Sequence, residues 1–77
     1  GALRLADRAY YKIKLGLSEA KWRSARMFFY DACEQAWEQL VAGTPVTEEI
    51  DMMLKLSATY AARVSIEVVN DAYQAAG

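Results

Sequence analysis

Ala25-Arg26-Met27-Phe28-Phe29-Tyr30-Asp31-Ala32-Cys33-Glu34-Gln35-Ala36-Trp37-Glu38-Gln39-Leu40-Val41-Ala42-Gly43 is the stretch that decides the fold. Together with Trp22, the residues Ala25, Phe29, Ala32, Ala36 and Leu40 recur at spacings of three or four. That period lines them along one side of an α-helix. Phe28, Cys33, Trp37 and Val41 widen the stripe until more than half of the circumference is apolar. A helix of this kind needs neighbours on more than one side. Gly43 follows the last periodic residue, where glycine takes a left-handed C-terminal cap without a Cβ clash. Pro45 comes next, outside the helix, where its missing N–H interrupts nothing.

The chain before this stretch carries Leu3, Ala6, Ala9 or Tyr10, Ile13 and Leu17 at helical spacing. This predicts a first helix over about 2–16. Gly16 is read as its end, with Ser18 as N-cap of the next helix and Glu19 at the positive end of the helix dipole. One continuous helix that tolerates Gly16 at about 1 kcal/mol is the alternative. Helix 2 is expected over about 19–42 and is roughly 36 Å long at the rise of an α-helix. After the short loop Gly43-Thr44-Pro45-Val46, Thr47 is the expected N-cap of helix 3. Glu48, Glu49 and Asp51 in its first turn complement the dipole. Pro45 as first helical residue after Thr44 is the competing start. Helix 3 is expected over about 48–75, with Ile50, Met53, Leu54, Ser57, Ala61, Val64, Val68, Ala72 and Ala75 as its stripe and Val69 and Tyr73 on one flank. A short loop between two helices of similar length implies an antiparallel turn-around. The expected fold class is therefore all-α: an antiparallel hairpin of two long helices plus a shorter N-terminal helix, part of an up-down helical bundle.

With 77 residues the chain holds at most one small domain. A domain of that size buries only about 60% of its unfolded surface. Yet 55% of the residues are apolar, above the typical value of about 45–50%. That excess suggests surface meant for another chain or for the rest of a larger protein. Gly1 in place of a methionine and Gly77 at a helix close suggest a segment of a longer protein.

Nine basic and ten acidic residues give a net charge of −1. A nucleic-acid binder normally shows a basic excess. Arg4, Arg8, Lys12 and Lys14 form a basic run near the start, read as the solvated side of an amphipathic helix. One cysteine excludes an internal disulfide framework and fits a reducing, cytoplasmic compartment. No apolar run reaches the roughly 18–20 residues that span a bilayer, and no signal-peptide pattern is present.

There is no histidine, which removes the commonest general base and metal ligand. Cys33 lies in the apolar stripe with no flanking cation to activate it, so it reads as a structural thiol. Glu34 and Glu38 are four apart, but the histidines that complete a bundle carboxylate metal site are missing. Glu67 and Asp71 are a second such pair, with Arg63 one turn before Glu67 for an ion pair. Gly16, Gly43 and Gly77 look like helix punctuation, and none belongs to a phosphate-binding loop. No residue is assigned a catalytic or metal-binding role. Trp22, Phe29, Trp37, Leu40, Leu54, Val64, Val68 and Tyr73 are the expected packing and interface residues, because aromatics at helical spacing are more often core or interface than cofactor stacks.

Five stretches carry a family resemblance. Glu19-Ala20-Lys21-Trp22-Arg23-Ser24-Ala25-Arg26 leads to Ala32-Cys33-Glu34-Gln35-Ala36-Trp37 and Val41-Ala42-Gly43-Thr44. Leu54-Lys55-Leu56-Ser57-Ala58-Thr59-Tyr60-Ala61-Ala62-Arg63 and Val68-Val69-Asn70-Asp71-Ala72-Tyr73-Gln74-Ala75-Ala76-Gly77 follow. From Leu17 to Gly77 the chain resembles the C-terminal helical domain of acyl-CoA dehydrogenase-like flavoproteins, in the branch that holds two-component flavin-dependent monooxygenases. Residues 1–16 match less well.

The resemblance implies a four-helix C-terminal bundle, homo-oligomers (dimer or tetramer) built through it, and FAD or FMN held between domains of the parent. It implies acyl-CoA thioesters as substrates in the dehydrogenase branch and aromatic or heteroaromatic compounds in the monooxygenase branch. The family's histidine and flavin-contacting arginine fall in helices that follow this stretch, so no catalytic or flavin-binding residue is carried over. Arg26, Trp37 and Tyr73 match motif positions and are assigned to packing. This hairpin alone is expected to bind no flavin, nucleic acid or membrane; its expected partners are the remainder of the parent and further copies. A standalone helical interaction module that self-associates is the alternative, and a cofactor-binding bundle enzyme is the weakest reading.

Overall fold

The computed structural model describes the backbone of residues 2–76 and the side chains of residues 4–76. Leu3 and Gly77 therefore lie outside the residues whose packing or capping is described. Two helices account for nearly all of the chain: α1 over Ala2–Val41 and α2 over Glu48–Ala76. They pack against each other as an antiparallel hairpin, and no strand occurs among the described residues.

The expected break at Gly16 does not occur. α1 runs through it as a single helix of 40 residues. The reason lies in the phase of the residues around it. Lys14, Ser18, Lys21 and Ala25 keep a four-three-four spacing across Gly16, so the face turned to α2 continues without a step. Gly16 itself points away, and a Cβ added there would meet nothing within 4 Å. Ser18 is consequently a buried mid-helix residue, not an N-cap.

The turn between the helices follows from its capping residues. Gly43 has φ 77°. Its N–H donates to the Leu40 carbonyl at 3.1 Å, and the Thr44 N–H donates to the Gln39 carbonyl at 3.0 Å. These two bonds form a Schellman cap, which satisfies carbonyls left without partners at a helix end. Thr47 is the N-cap of α2: its hydroxyl accepts from the Ile50 N–H at 3.3 Å. Glu48, Glu49 and Asp51 fill the first turn, as the dipole favours. Pro45 stays in the loop, and Gln39 Oε1 accepts the Thr47 N–H at 3.0 Å, tying the two caps together.

The helix–helix seam is built from small side chains. Ala25, Ala32, Ala36 and Ser18 are buried on α1, and Ser57 and Val64 on α2. Ser18, Ala25 and Ala32 are seven apart, as are Ser57, Val64 and Asp71. The Ser18–Asp71 hydrogen bond therefore brings Ala25 level with Val64 and Ala32 level with Ser57. Such a repeat keeps one seam facing its partner along the full length of two helices. Alanine and serine at these positions let the backbones approach closely.

The result is a rod of 63 × 16 × 14 Å. Its radius of gyration is 17.9 Å, against about 11–12 Å for a compact globule of this length. A rod of two helices can cover only one stripe of each. The wide apolar circumference of α1 is accordingly left mostly open.

Candidate functional site

A helix turns about 100° per residue, so the residues flanking the seam can be assigned to one side of the hairpin or the other. One side carries the polar contacts between the two helices. Lys14, Lys21, Tyr60 and Asp71 line an open groove there. A second groove nearer the turn is lined by Phe28, Asp31, Gln35 and Met53, which are exposed or half-exposed themselves. Both grooves are open to solvent. Glu67 and Asp71 both lie on this side. Glu67 pairs with Lys21 of α1 at 3.7 Å, not with Arg63 one turn before it.

The opposite side carries most of the exposed aromatic side chains of α1, with Glu19, Arg23 and Arg26 beside Trp22 at one end. On α1 it presents Trp22, Phe29, Cys33, Trp37 and Leu40 along one flank; on α2 it presents Leu54, Val69 and Tyr73 among Ala58, Ala62, Ser65, Ala72 and Ala76. Small residues on one helix beside aromatic ones on the other give a ridge next to a shallow trough. Arg26 edges the face, with its guanidinium 5.3 Å from the centre of the Tyr30 ring, a distance at which the ring quadrupole attracts the cation.

The eight expected packing residues divide in two. Val64 is fully buried in the seam, and Phe29, Leu54 and Val68 are half-buried beside it. Trp37 is 65% exposed, Tyr73 76% and Leu40 58%. Trp22 is exposed to a lesser degree. Within this hairpin the Trp37 ring is therefore surface.

Chemistry is sparse elsewhere. Cys33 is a half-buried free thiol. Glu34 and Glu38 are exposed. Among the described residues no group of three or more histidine, cysteine, aspartate or glutamate side chains is placed to hold a metal ion, and no helix is long and apolar enough to cross a membrane. Lys55 is held above its ordinary pKa by its hydrogen bond to Asp51 and by that carboxylate's charge. Both are solvent-exposed at the start of α2, where such a pair contributes little.

Ser18, Lys21 and Gln39 were not singled out as bridging residues by apolar pattern, because they are polar. The signal that finds them is their spacing: Ser18, Ala25, Ala32 and Gln39 share a seven-residue repeat, and Lys21 stands in the adjacent one with Lys14, Phe28 and Gln35.

The family described as acyl-CoA dehydrogenase, C-terminal domain, matches residues 1–77. An indole-3-acetate monooxygenase from Pseudomonas putida is 46% identical over all 77 residues, which make up 20% of that protein. An indole-3-acetate monooxygenase from Acinetobacter baumannii is 27% identical over the same residues, again 20% of its length. The chain thus spans about a fifth of the curated relatives it matches. No solved structure matches it. With its whole length matched, this helical hairpin belongs to the acyl-CoA dehydrogenase C-terminal domain family.

Proposed function

We propose that this hairpin is a packing and subunit-assembly element of a flavin-dependent monooxygenase that acts on a small aromatic substrate. The observation that carries the reading is the uncovered apolar face, with Trp37, Leu40 and Tyr73 more than half exposed. Burying an aromatic side chain removes about 150–250 Å² from water, so a face of this kind gains substantially from being covered. The rest of the parent protein and further copies of the chain, as a dimer or tetramer, are the occupants that fit it. The names of the two relatives favour the monooxygenase branch over the dehydrogenase branch.

FAD or FMN belongs to the parent in this reading and supplies the oxygen chemistry there. No residue of this chain is assigned to the flavin, since the hairpin has open grooves only. Its own contribution is a 63 Å rod against which other elements are positioned. The single cysteine and the absence of an apolar spanning stretch support a cytoplasmic location.

The test is Trp37→Glu in the full-length protein that carries this hairpin, followed by sedimentation velocity and by flavin content. A charge on a covered face is expensive to bury without a partner. The expected outcome is dissociation to smaller species, with loss of bound flavin. A variant that sediments and retains flavin like the unmodified protein would show that the face around Trp37 is not an assembly surface.

A further inference from the structure

Side-chain hydrogen bonds and ion pairs that link α1 to α2 are concentrated at the open end of the hairpin, far from the turn. The Ser18 hydroxyl donates to Asp71 Oδ2 at 2.9 Å. Lys21 Nζ lies 4.0 Å from that same oxygen and 3.7 Å from Glu67 Oε2. Lys14 Nζ donates to Gln74 Oε1 at 3.3 Å. The four serines of the chain make the point sharper. Ser24, Ser57 and Ser65 each donate to a carbonyl of their own helix, those of Ala20, Leu54 and Ala61. That is the usual resort of a serine inside a helix. Ser18 alone reaches across to the other helix, and it does so while 5% exposed.

The apolar hold weakens where these contacts begin. Ser57 and Val64 on α2 are buried to 2% exposure or less, whereas the next seam positions, Val68, Asp71 and Ala75, are only half-buried. Past Val64 the two helices are therefore joined chiefly by polar groups. We infer that Ser18, Lys21, Glu67 and Asp71 form a clasp that closes the open end of the hairpin, and that the stretch of α2 from Ile66 to Ala76 opens as a separate unit when the clasp is broken. Parts of a fold with little buried apolar surface are those that open below the global unfolding free energy. The polar hold is also directional: Asp71 is the shared acceptor of Ser18 and the near neighbour of Lys21, so one side chain governs it. This inference does not depend on which parent protein carries the hairpin.

Hydrogen–deuterium exchange read by mass spectrometry on the full-length protein tests it, with Asp71→Ala, Ser18→Ala and Asp71→Asn compared with the unmodified chain. A hydrogen bond to a charged group is the stronger kind, so Asp71→Ala should raise exchange in 66–76 and in 14–21 by about tenfold. Exchange in 25–36 and 54–64 should stay unchanged. Asp71→Asn keeps an acceptor for Ser18 but loses the charge beside Lys21; it should show a smaller rise confined to the same segments, and it serves where the alanine variant fails to fold. Unchanged exchange in 66–76 would overturn the clasp. A uniform rise along both helices would overturn its independence from the rest of the hairpin.

Discussion

Gly16 and Gly43 are the same residue in two different roles, and the difference is one of phase. Gly43 sits at φ 77° at the end of the apolar repeat and caps α1. Gly16 sits on the solvent side of an uninterrupted helix with open space where a Cβ would stand. Glycine costs about 0.5–1 kcal/mol relative to alanine in a helix interior. Gly16→Ala should therefore raise the unfolding free energy by about that amount in a urea titration. A loss of stability would show that the backbone at position 16 needs glycine and that α1 breaks there. The glycine at 16 was misleading in the sequence because a helix stop and a tolerated glycine look alike locally; only the four-three-four run through Lys14, Ser18, Lys21 and Ala25 separates them. Trp37 is ambiguous in a different way. Its apolar bulk fits a core and an interface position alike, and with one partner helix a side chain on the far flank stays in solvent at 65% exposure.

At the scale of elements, the hairpin itself was legible. Gly43 as C-cap, Pro45 in the loop, Thr47 as N-cap and the acids behind it all sit where the local rules place them. The seam was legible only in part. The predicted stripe of α1 holds Ala25, Ala32 and Ala36, which are buried in the seam, but it also holds Trp22 and Leu40, which are exposed, and leaves out Ser18. Small residues carry a weak hydrophobic signal, yet they allow the closest backbone approach and therefore the tightest seam. Ala25 is wholly buried, and Ala25→Leu forces three extra carbons into that seam. Overpacking of this kind costs about 1–3 kcal/mol. Thermal unfolding of the variant followed by circular dichroism should show a lowered midpoint. An unchanged or raised midpoint would mean that Ala25 borders a gap and that the seam lies elsewhere on α1.

At the scale of the whole molecule, a 63 Å rod whose larger apolar side chains stay exposed is an incomplete core. Its seam satisfies the small residues of both helices, while Trp22, Trp37, Leu40 and Tyr73 remain uncovered or nearly so. The sequence carried this in its apolar excess, 55% of residues, but not in any single position, because which flank faces solvent depends on how the second helix docks. The partner of that face was not legible for the same reason: an apolar stripe records that it is to be covered and not by what. Sedimentation equilibrium of the 77-residue chain, with visible flavin absorbance recorded in the same cell, tests the assembly role most directly. A flavin-free dimer or tetramer is the predicted result, since copies of the apolar face then cover one another. A flavin-free, cooperatively folding monomer would contradict it, showing that the hairpin is stable with its face exposed and has no need of a partner.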